Sequence, residues 1–253
     1  MKSLVLAFSM FSRIPVPQAD FTEANMGRTM AVFPLVGLAL GLAVAGWVWL
    51  GHMLEFGQFL RAVGITLLPL ALSGGIHADG LCDTVDALAS HGDTATKQRI
   101  LRDPHLGAFA AMALCGYCLL FFALAAELVL PWPRLACLVL ALAVSRSVTG
   151  LAVLGFPPSP ESTLARQFQR GAHGSRLLLW GWLLCLGMAM LLLDGLAGFV
   201  AFALPLALLW RWKGFASRQF GGMSGDLAGC LLMLCELLSL ASLVLIPKIL
   251  AKI

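Results

Sequence analysis

Three aspartates and a histidine fall within one short stretch of this apolar chain, GGIHADGLCDTVDAL at residues 74–88. Asp79, Asp83 and Asp86 are spaced i, i+4 and i+7, which places their side chains on one face of a helix that can begin around Ala78 after Gly74-Gly75. Three like charges on one stripe repel each other, so the arrangement favours a bound divalent cation. Mg²⁺ commonly takes one or two carboxylates together with substrate phosphates. The stripe therefore predicts a magnesium site, the alternative being a solvated turn rich in aspartate.

A second polar cluster, RQFGGMSGDLAG at residues 218–229, combines a basic residue, glycines and Asp226. Glycines let a backbone approach a ligand closely, and the amides at a helix N-terminus suit phosphate. Glu236 lies ten residues further on, about 15 Å deeper along a helix. An acid at that depth is a candidate accessory group for function, although it could instead be protonated or paired with Arg146.

The segment KQRILRDPHLG at residues 97–107 separates the two clusters. Arg99 and Arg102 could contact a polyphosphate, since a guanidinium offers two parallel donors. The alternative is that they only mark the cytoplasmic side of a membrane. Arg146 is the one basic residue inside a predicted span, and it requires an acid or a phosphate nearby.

The composition identifies the elements that must position these residues. Of 253 residues, 60% are hydrophobic and 12% are charged, about half the charge of a typical soluble domain, roughly 25%. Since a spanning helix needs roughly 20 apolar residues, we predict an all-α, polytopic bundle that forms a single membrane-embedded catalytic domain over residues 1–253. The seven predicted spans are residues 30–50, 62–76, 106–130, 135–154, 177–193, 196–210 and 227–246.

The basic residues predict the orientation of these spans. With seven spans, twelve of the 17 Lys and Arg residues fall on one side and four on the other, Arg146 lying inside a span. The side rich in Lys and Arg is the cytoplasmic one, so the N-terminus is expected inside and the C-terminus outside. The net charge of +4 then reflects topology, and it gives no reason to expect nucleic-acid binding. The apolar run before residue 12 is expected to lie in the interface or to re-enter the membrane.

Four strings in this order, GGIHADGLCDTVDAL, ILRDPHLG, AVSR and FGGMSGD, resemble the cobalamin synthase family, whose members are adenosylcobinamide-GDP ribazoletransferases. FSRIPVP near the start and FPLVGLALG at residues 33–41 are similar to the N-terminal region of that family. The resemblance covers nearly the whole chain. One position departs from it: the family commonly has glutamates seven and ten residues after the aspartate of its Gly-Asp motif, and here these residues are Met233 and Glu236.

The resemblance implies a reaction in which a ribose hydroxyl of α-ribazole, or of its 5′-phosphate, attacks the cobinamide-side phosphorus of adenosylcobinamide-GDP and releases GMP. It implies Mg²⁺ as cofactor and other corrinoid-assembly enzymes as candidate partners. It also implies a multi-pass protein of a bacterial or archaeal cytoplasmic membrane, in contact with membrane lipids, whose active site faces the cytoplasm.

Displacement at a diphosphate depends mainly on positioning and charge neutralisation. The expected metal ligands are Asp79, Asp83, Asp86 and Asp226, and His77 or Asp103 is expected to accept the hydroxyl proton, unless His77 caps its helix. The expected phosphate contacts are Arg99, Arg102, Arg146, Arg218, Gly221, Gly222 and Gly225.

Two other functions are compatible with parts of the pattern. A CDP-alcohol phosphotransferase also uses an aspartate-rich membrane motif, but the Asp-Gly-x-x-Ala-Arg string expected there is absent, since Leu81, Cys82 and Asp83 follow Asp79-Gly80. A cation or proton transporter would also place acids near broken helices. Against it, most acids of this chain cluster at one predicted face.

Overall fold

The computed structural model describes residues 2–17 and 22–252, which fold into helices joined by short loops. In chain order these are α1 (Lys2–Phe11), α2 (Glu23–Met53), α3 (Gln58–Leu72), α4 (Ile76–Ala89), α5 (Thr94–Ile100), α6 (Ala108–Glu127), α7 (Trp132–Gly155), α8 (Thr163–Arg170), α9 (Ser175–Phe220) and α10 (Gly225–Leu250). Five are long and apolar enough to cross a membrane, or six if α3 and α4 form one broken span. The predicted all-α, multi-span architecture is confirmed.

Helix α7 lies at the centre of the bundle. It is buried along nearly its whole length from Cys137 to Leu154, and α2, α9 and α10 pack around it. Gly37 and Gly41 bring α2 close to α7: a Cβ atom on Gly37 would lie 2.3 Å from the Leu142 carbonyl oxygen. Small residues four apart commonly permit such close helix packing in membranes.

The outer faces of the bundle are apolar. Leu119, Leu177, Leu192 and Trp210 are 68 to 79% exposed. A soluble protein rarely exposes apolar patches of this extent, whereas lipid chains cover such surfaces at no cost. The exposed leucines therefore form the lipid-facing surface of a multi-pass membrane protein.

Helices α3 and α4 meet at a sharp bend of 89°. Gly74 and Gly75 form the bend with φ angles of +70° and +78°, a left-handed conformation that glycine adopts without strain. The predicted break at this pair is confirmed, and α4 begins at Ile76, two residues before the expected position. The stripe of aspartates thus lies on a helix of its own, set at a sharp angle to α3.

Helix α9 folds back on itself at Asp194 and Gly195, both of which have non-helical backbone angles. A Cβ atom on Gly187 would lie 2.6 Å from the Phe202 ring. Fifteen residues of straight helix would separate these positions by about 22 Å, so residues 175–193 and 196–220 form two antiparallel arms. Arg134 of α7 binds the Asp194 carboxylate at the turn through Nε and Nη2, at 2.9 and 3.1 Å.

Helix α1 packs against α2. Leu6 and Ala7 are fully buried, and the Arg13 amide donates to the Leu72 carbonyl at 2.7 Å at the end of α3. The N-terminal segment is therefore part of the bundle next to the bend that starts α4.

Candidate active site

The two predicted clusters meet because α4 and α10 pack closely at two glycines. A Cβ atom on Gly80 would lie 2.6 Å from the backbone oxygen of Asp226, and one on Gly229 would lie 3.1 Å from the backbone of His77. No larger side chain fits at Gly80 without moving one helix. This contact brings Asp79 and Asp226 together, although they are 147 positions apart in the sequence.

We expect Gly80→Ala to lower the free energy of unfolding by about 1–3 kcal/mol, the usual cost of forcing an extra carbon into packed structure. Heat denaturation of the purified protein measures this effect. Gly116→Ala in α6 is the matched control, because a Cβ atom there meets nothing within 4 Å and alanine favours a helix by about 1 kcal/mol over glycine. Equal stability of the two variants would contradict the close packing of α4 on α10.

Asp79 and Asp226 line one cavity of about 190 Å³. Asp79 is in the first turn of α4, and Asp226 is in the first turn of α10. Ser224 caps α10 through its hydroxyl, which accepts from the Leu227 amide at 3.3 Å and lies 3.4 Å from an Asp226 carboxylate oxygen. Two carboxylates thus face the same space at the starts of two helices.

Asp83 and Asp86, the other members of the stripe, occupy different surroundings. Asp83 is half-buried one turn beyond Asp79, within electrostatic range of Asp79, Asp86 and Asp226. The Asp86 carboxylate accepts from the amides of Gly107 and Ala110 at 2.7 and 2.8 Å. These are free amides at the start of α6, so Asp86 joins α4 to α6, a contact that spacing along one helix could not indicate.

The donor chemistry around the cavity fits Mg²⁺. Asp79 and Asp226 supply hard oxygen ligands, and Asp83 adds negative charge nearby. Over residues 2–17 and 22–252, no group of three or more His, Cys, Asp or Glu side chains could hold a metal ion by itself. This arrangement suits an ion that completes its coordination with waters and substrate phosphates.

His77 also lines the cavity. It is the second residue of α4, whose N-cap is Gly75 without a side-chain hydrogen bond, so His77 does not cap the helix. Its ring is buried and lies 6.3 Å from the Phe11 ring and 6.1 Å from the Phe33 ring, measured between centroids. His77 and Asp79, two positions apart in the first turn of α4, therefore line the same cavity.

Asp103, the other predicted proton acceptor, lies on an exposed loop away from this cavity. It accepts hydrogen bonds from the His105 amide at 3.0 Å and from the His105 ring at 2.6 Å. These bonds lower the pKa of the Asp103 carboxyl. Asp103 lines a surface groove together with Arg99, Arg102 and Glu161.

Arg102 connects this groove with the carboxylates. It forms an ion pair with Glu161, and both residues also line a neighbouring recess that contains Ser224, Gly225 and Asp226. A polyphosphate extending from Asp226 would therefore pass Arg102 and then Arg99. Arg218 lines neither the cavity nor these two recesses among the described residues, and its Nε atom donates to the Gly214 carbonyl of its own helix.

The three glycines of the second cluster that were predicted to contact phosphate lie in different surroundings. Gly221 ends α9 with a φ of +70°, and a Cβ on Gly222 would lie 2.6 Å from the backbone of Pro158. The next residue, Met223, is held by the same segment, since its amide donates to the Pro157 carbonyl at 2.8 Å. Gly225 alone of the three glycines lines the cavity.

Arg146 and Glu236 form an ion pair inside the bundle. Arg146 is 1% exposed and Glu236 is 7% exposed. Arg146 also donates to the Leu142 carbonyl at 3.0 Å and to the Ser145 hydroxyl at 2.9 Å. Of the alternatives for Glu236, the structure therefore shows pairing with Arg146. Met233 is buried one turn closer to Asp226, where its carbonyl accepts from the Tyr117 hydroxyl.

Several residues around the cavity carry no signal in the sequence. Phe11, Phe168 and Thr149 line it from α1, α8 and α7. Each is an ordinary apolar or small residue of its helix, and nothing in its spacing marks it. Ser224 could have been found, since a serine directly before Gly225-Asp226 at the start of an apolar run is a common N-cap.

A polytopic helical membrane protein with paired carboxylates beside an arginine-lined groove fits a class of enzymes that act on phosphorylated substrates at a membrane surface. Residues 3–244 match the cobalamin-5-phosphate synthase family. The chain belongs to this family.

Relatives in several bacteria support the assignment. The chain is 36% identical to an adenosylcobinamide-GDP ribazoletransferase of Lachnoclostridium phytofermentans, over 94% of this chain and 92% of the relative. It is 35% identical to one of Desulfitobacterium hafniense, over 95% of each chain, and 35% identical to one of Deinococcus radiodurans, over 94% of this chain and 84% of the relative. No solved structure matches the chain.

Proposed function

We propose that this protein is an adenosylcobinamide-GDP ribazoletransferase. A ribose hydroxyl of α-ribazole, or of α-ribazole 5′-phosphate, attacks the cobinamide-side phosphorus of adenosylcobinamide-GDP. A new P–O bond forms to the ribose, the bond to the bridging oxygen breaks, GMP leaves, and the hydroxyl proton is released. The product is adenosylcobalamin or its 5′-phosphate. The observation that carries the proposal is the meeting of Asp79 and Asp226 at one cavity in a chain of this family.

The charged residues and His77 at the cavity and the groove have parts in this reaction. Asp79 and Asp226 would hold Mg²⁺, which supplies neutralisation of the charge on the diphosphate. Arg102 and Arg99 bind the outer phosphate and GMP portion along the groove. His77 accepts the hydroxyl proton, since it shares the cavity with both carboxylates and Asp103 does not.

The direct test is GMP release by the purified protein from adenosylcobinamide-GDP and α-ribazole. We expect GMP only when both substrates are present, no turnover in EDTA, and recovery when excess Mg²⁺ is added. Ca²⁺ should replace Mg²⁺ poorly, because it prefers more ligands at longer distances. Undiminished turnover after exhaustive chelation would remove the metal from the proposal, and absence of GMP under all conditions would refute the activity.

We further propose seven spans with the N-terminus in the cytoplasm and the C-terminus outside. The seven spans are α2, α3, α6, α7, the two arms of α9, and α10. Contacts between loops support this alternation. The Gln98 amide binds the Phe220 carbonyl at 2.8 Å near the carboxylates, at the end rich in Arg and Lys. Two ion pairs, Arg134–Asp194 and Lys248–Glu127, lie at the opposite end of the bundle, where they join loops and helix ends. The active site then faces the cytoplasm of a bacterial or archaeal cell.

Single cysteines at exposed positions test this topology in a background without the seven native cysteines. We expect Ser90→Cys, Gln167→Cys and Ser217→Cys to react with a membrane-impermeant maleimide only after the membrane is opened. Glu55→Cys, in the α2–α3 loop, and a tag after residue 253 should be accessible in intact cells. If only one or two of the first three cysteines react before the membrane is opened, the result contradicts the seven-span topology.

A further inference from the structure

The cavity beside Asp79 and Asp226 has aromatic walls that the proposed phosphoryl transfer does not use. Phe11 of α1, Phe33 of α2 and Phe168 of α8 line it. The centroids of the Phe33 and Phe168 rings lie 4.4 and 6.3 Å from that of Phe11. Phe33 and Phe168 are 2 and 3% exposed. Three separate helices thus place rings around one small space next to the carboxylates.

The size of the cavity limits what it can hold. Its volume is about 190 Å³, below the range of roughly 300–1,000 Å³ for pockets that take drug-sized ligands. A dry cavity of roughly 150 Å³ in another protein binds benzene. This cavity therefore accommodates one fused ring system of a substrate, and the rest of that substrate must lie outside it.

Thr149 supplies one polar group to this cavity. It lines the cavity from α7 and is 3% exposed, and its hydroxyl oxygen has no hydrogen-bond partner among the described residues. Other buried hydroxyls in these helices bind the carbonyl four residues back, as Thr66 and Ser147 do at 2.8 and 2.9 Å. Because buried polar groups are nearly always satisfied, the free hydroxyl points to a ligand that offers a single polar ring atom.

We infer that this cavity binds the apolar aromatic base of α-ribazole, with the Thr149 hydroxyl donating a hydrogen bond to the free ring nitrogen of the base. The inference rests on the proposed function. A benzimidazole joined to ribose through one nitrogen keeps a single acceptor on its rings. The ribose then lies towards Asp79 and Asp226, where its hydroxyl must meet the phosphorus.

Other flat groups in the reaction fit this cavity less well. Guanine and adenine, both present in adenosylcobinamide-GDP, carry several donors and acceptors around their edges. Burial among three phenylalanines would leave most of these unpaired, and each unpaired group costs binding free energy. The cavity therefore selects the base of the nucleoside substrate over the purines of the other one.

The test compares α-ribazole with an analogue in which C–H replaces the free ring nitrogen. In GMP-release assays we expect the wild-type protein to favour α-ribazole in kcat/KM by about five- to tenfold, the effect of one hydrogen bond. Thr149→Val should lower kcat/KM for α-ribazole to that of the analogue and leave the analogue unchanged. Thr66→Val is the matched control, since Thr66 lies in α3 outside the cavity, and it should keep the wild-type preference.

A second variant tests the aromatic wall. Phe168→Leu should raise the KM for α-ribazole by about tenfold, as expected when a well-packed aromatic contact is lost, and should leave the KM for adenosylcobinamide-GDP within about twofold. If Thr149→Val keeps the wild-type preference for α-ribazole over the analogue in kcat/KM, the inference is overturned. A rise in the KM for adenosylcobinamide-GDP alone would also overturn it, since this would assign the cavity to the other substrate.

Equilibrium binding separates failure of this inference from failure of the proposed function. Fluorescence of the base reports binding of α-ribazole to the purified protein without any turnover. If the wild-type protein releases no GMP, the proposed activity fails, while binding weakened by Thr149→Val and not by Thr66→Val still supports the cavity. If GMP is released but α-ribazole binding and KM are the same in all variants, the base binds elsewhere.

Discussion

Asp226→Asn is expected to lower kcat for GMP release by at least about a hundredfold. Asparagine keeps the size of the side chain but removes the negative charge that would hold Mg²⁺ against the diphosphate. Loss of one electrostatic contact to a reacting group commonly costs about 10²–10³ in rate. Asp79→Asn should behave in the same way, because both carboxylates line one cavity. The measurement is steady-state turnover with saturating Mg²⁺ and both substrates.

Asp93→Asn is the matched control for these variants. Asp93 caps α5 by accepting from the Thr96 amide at 2.8 Å, which lowers the pKa of its carboxyl, and asparagine caps a helix about as well as aspartate. The control should retain wild-type turnover, and all three variants should be present in membranes at similar levels. More than a tenth of wild-type kcat in Asp226→Asn would remove this residue from the metal site.

The buried pair of Arg146 and Glu236 carries the second large expected effect. Arg146→Met or Glu236→Leu alone should destabilise the fold by about 3–5 kcal/mol, because each leaves one buried charge without its partner. The double variant should recover most of this loss, since two apolar side chains replace the pair without an orphaned charge. Heat denaturation of the purified proteins gives the three stabilities.

Lys248→Met is the control for a pair in a different environment. Lys248 binds Glu127 with both side chains largely exposed, at 47 and 64%, so its loss should change stability little. If the double variant is as unstable as either single variant, the unpaired buried charge is not the reason for the loss of stability in the single variants.

Activity of the same variants separates structure from chemistry. Glu236 is separated from Asp226 by ten positions on α10 and is turned about 80° away from it, and its carboxylate is occupied by Arg146. Per folded molecule, Glu236→Gln is therefore expected to lose less than about tenfold in kcat, roughly 1.4 kcal/mol of barrier. A folded but inactive double variant would instead support the predicted contact of Arg146 with a phosphate.

The sequence by itself determined the class of architecture and the position of the helix that carries the aspartates. Apolar stretches of spanning length can only be helices in a bilayer, since every backbone group must be bonded within the segment. Gly74-Gly75 set the start of α4, and the i, i+4, i+7 spacing put three aspartates on one face. These features depend on local periodicity and on backbone conformation, both of which can be read along the chain.

The tertiary structure decided which of these residues meet. Asp86 lies on the predicted face, yet it binds the start of α6, and Asp226 joins Asp79 only because Gly80 allows α10 to approach α4. Glu236 is paired with Arg146, which lies 90 positions earlier. The aromatic wall of the cavity combines Phe11, Phe33 and Phe168 from three helices. Contacts between distant segments depend on how whole helices pack, and residue spacing within a single helix contains no information about its neighbours.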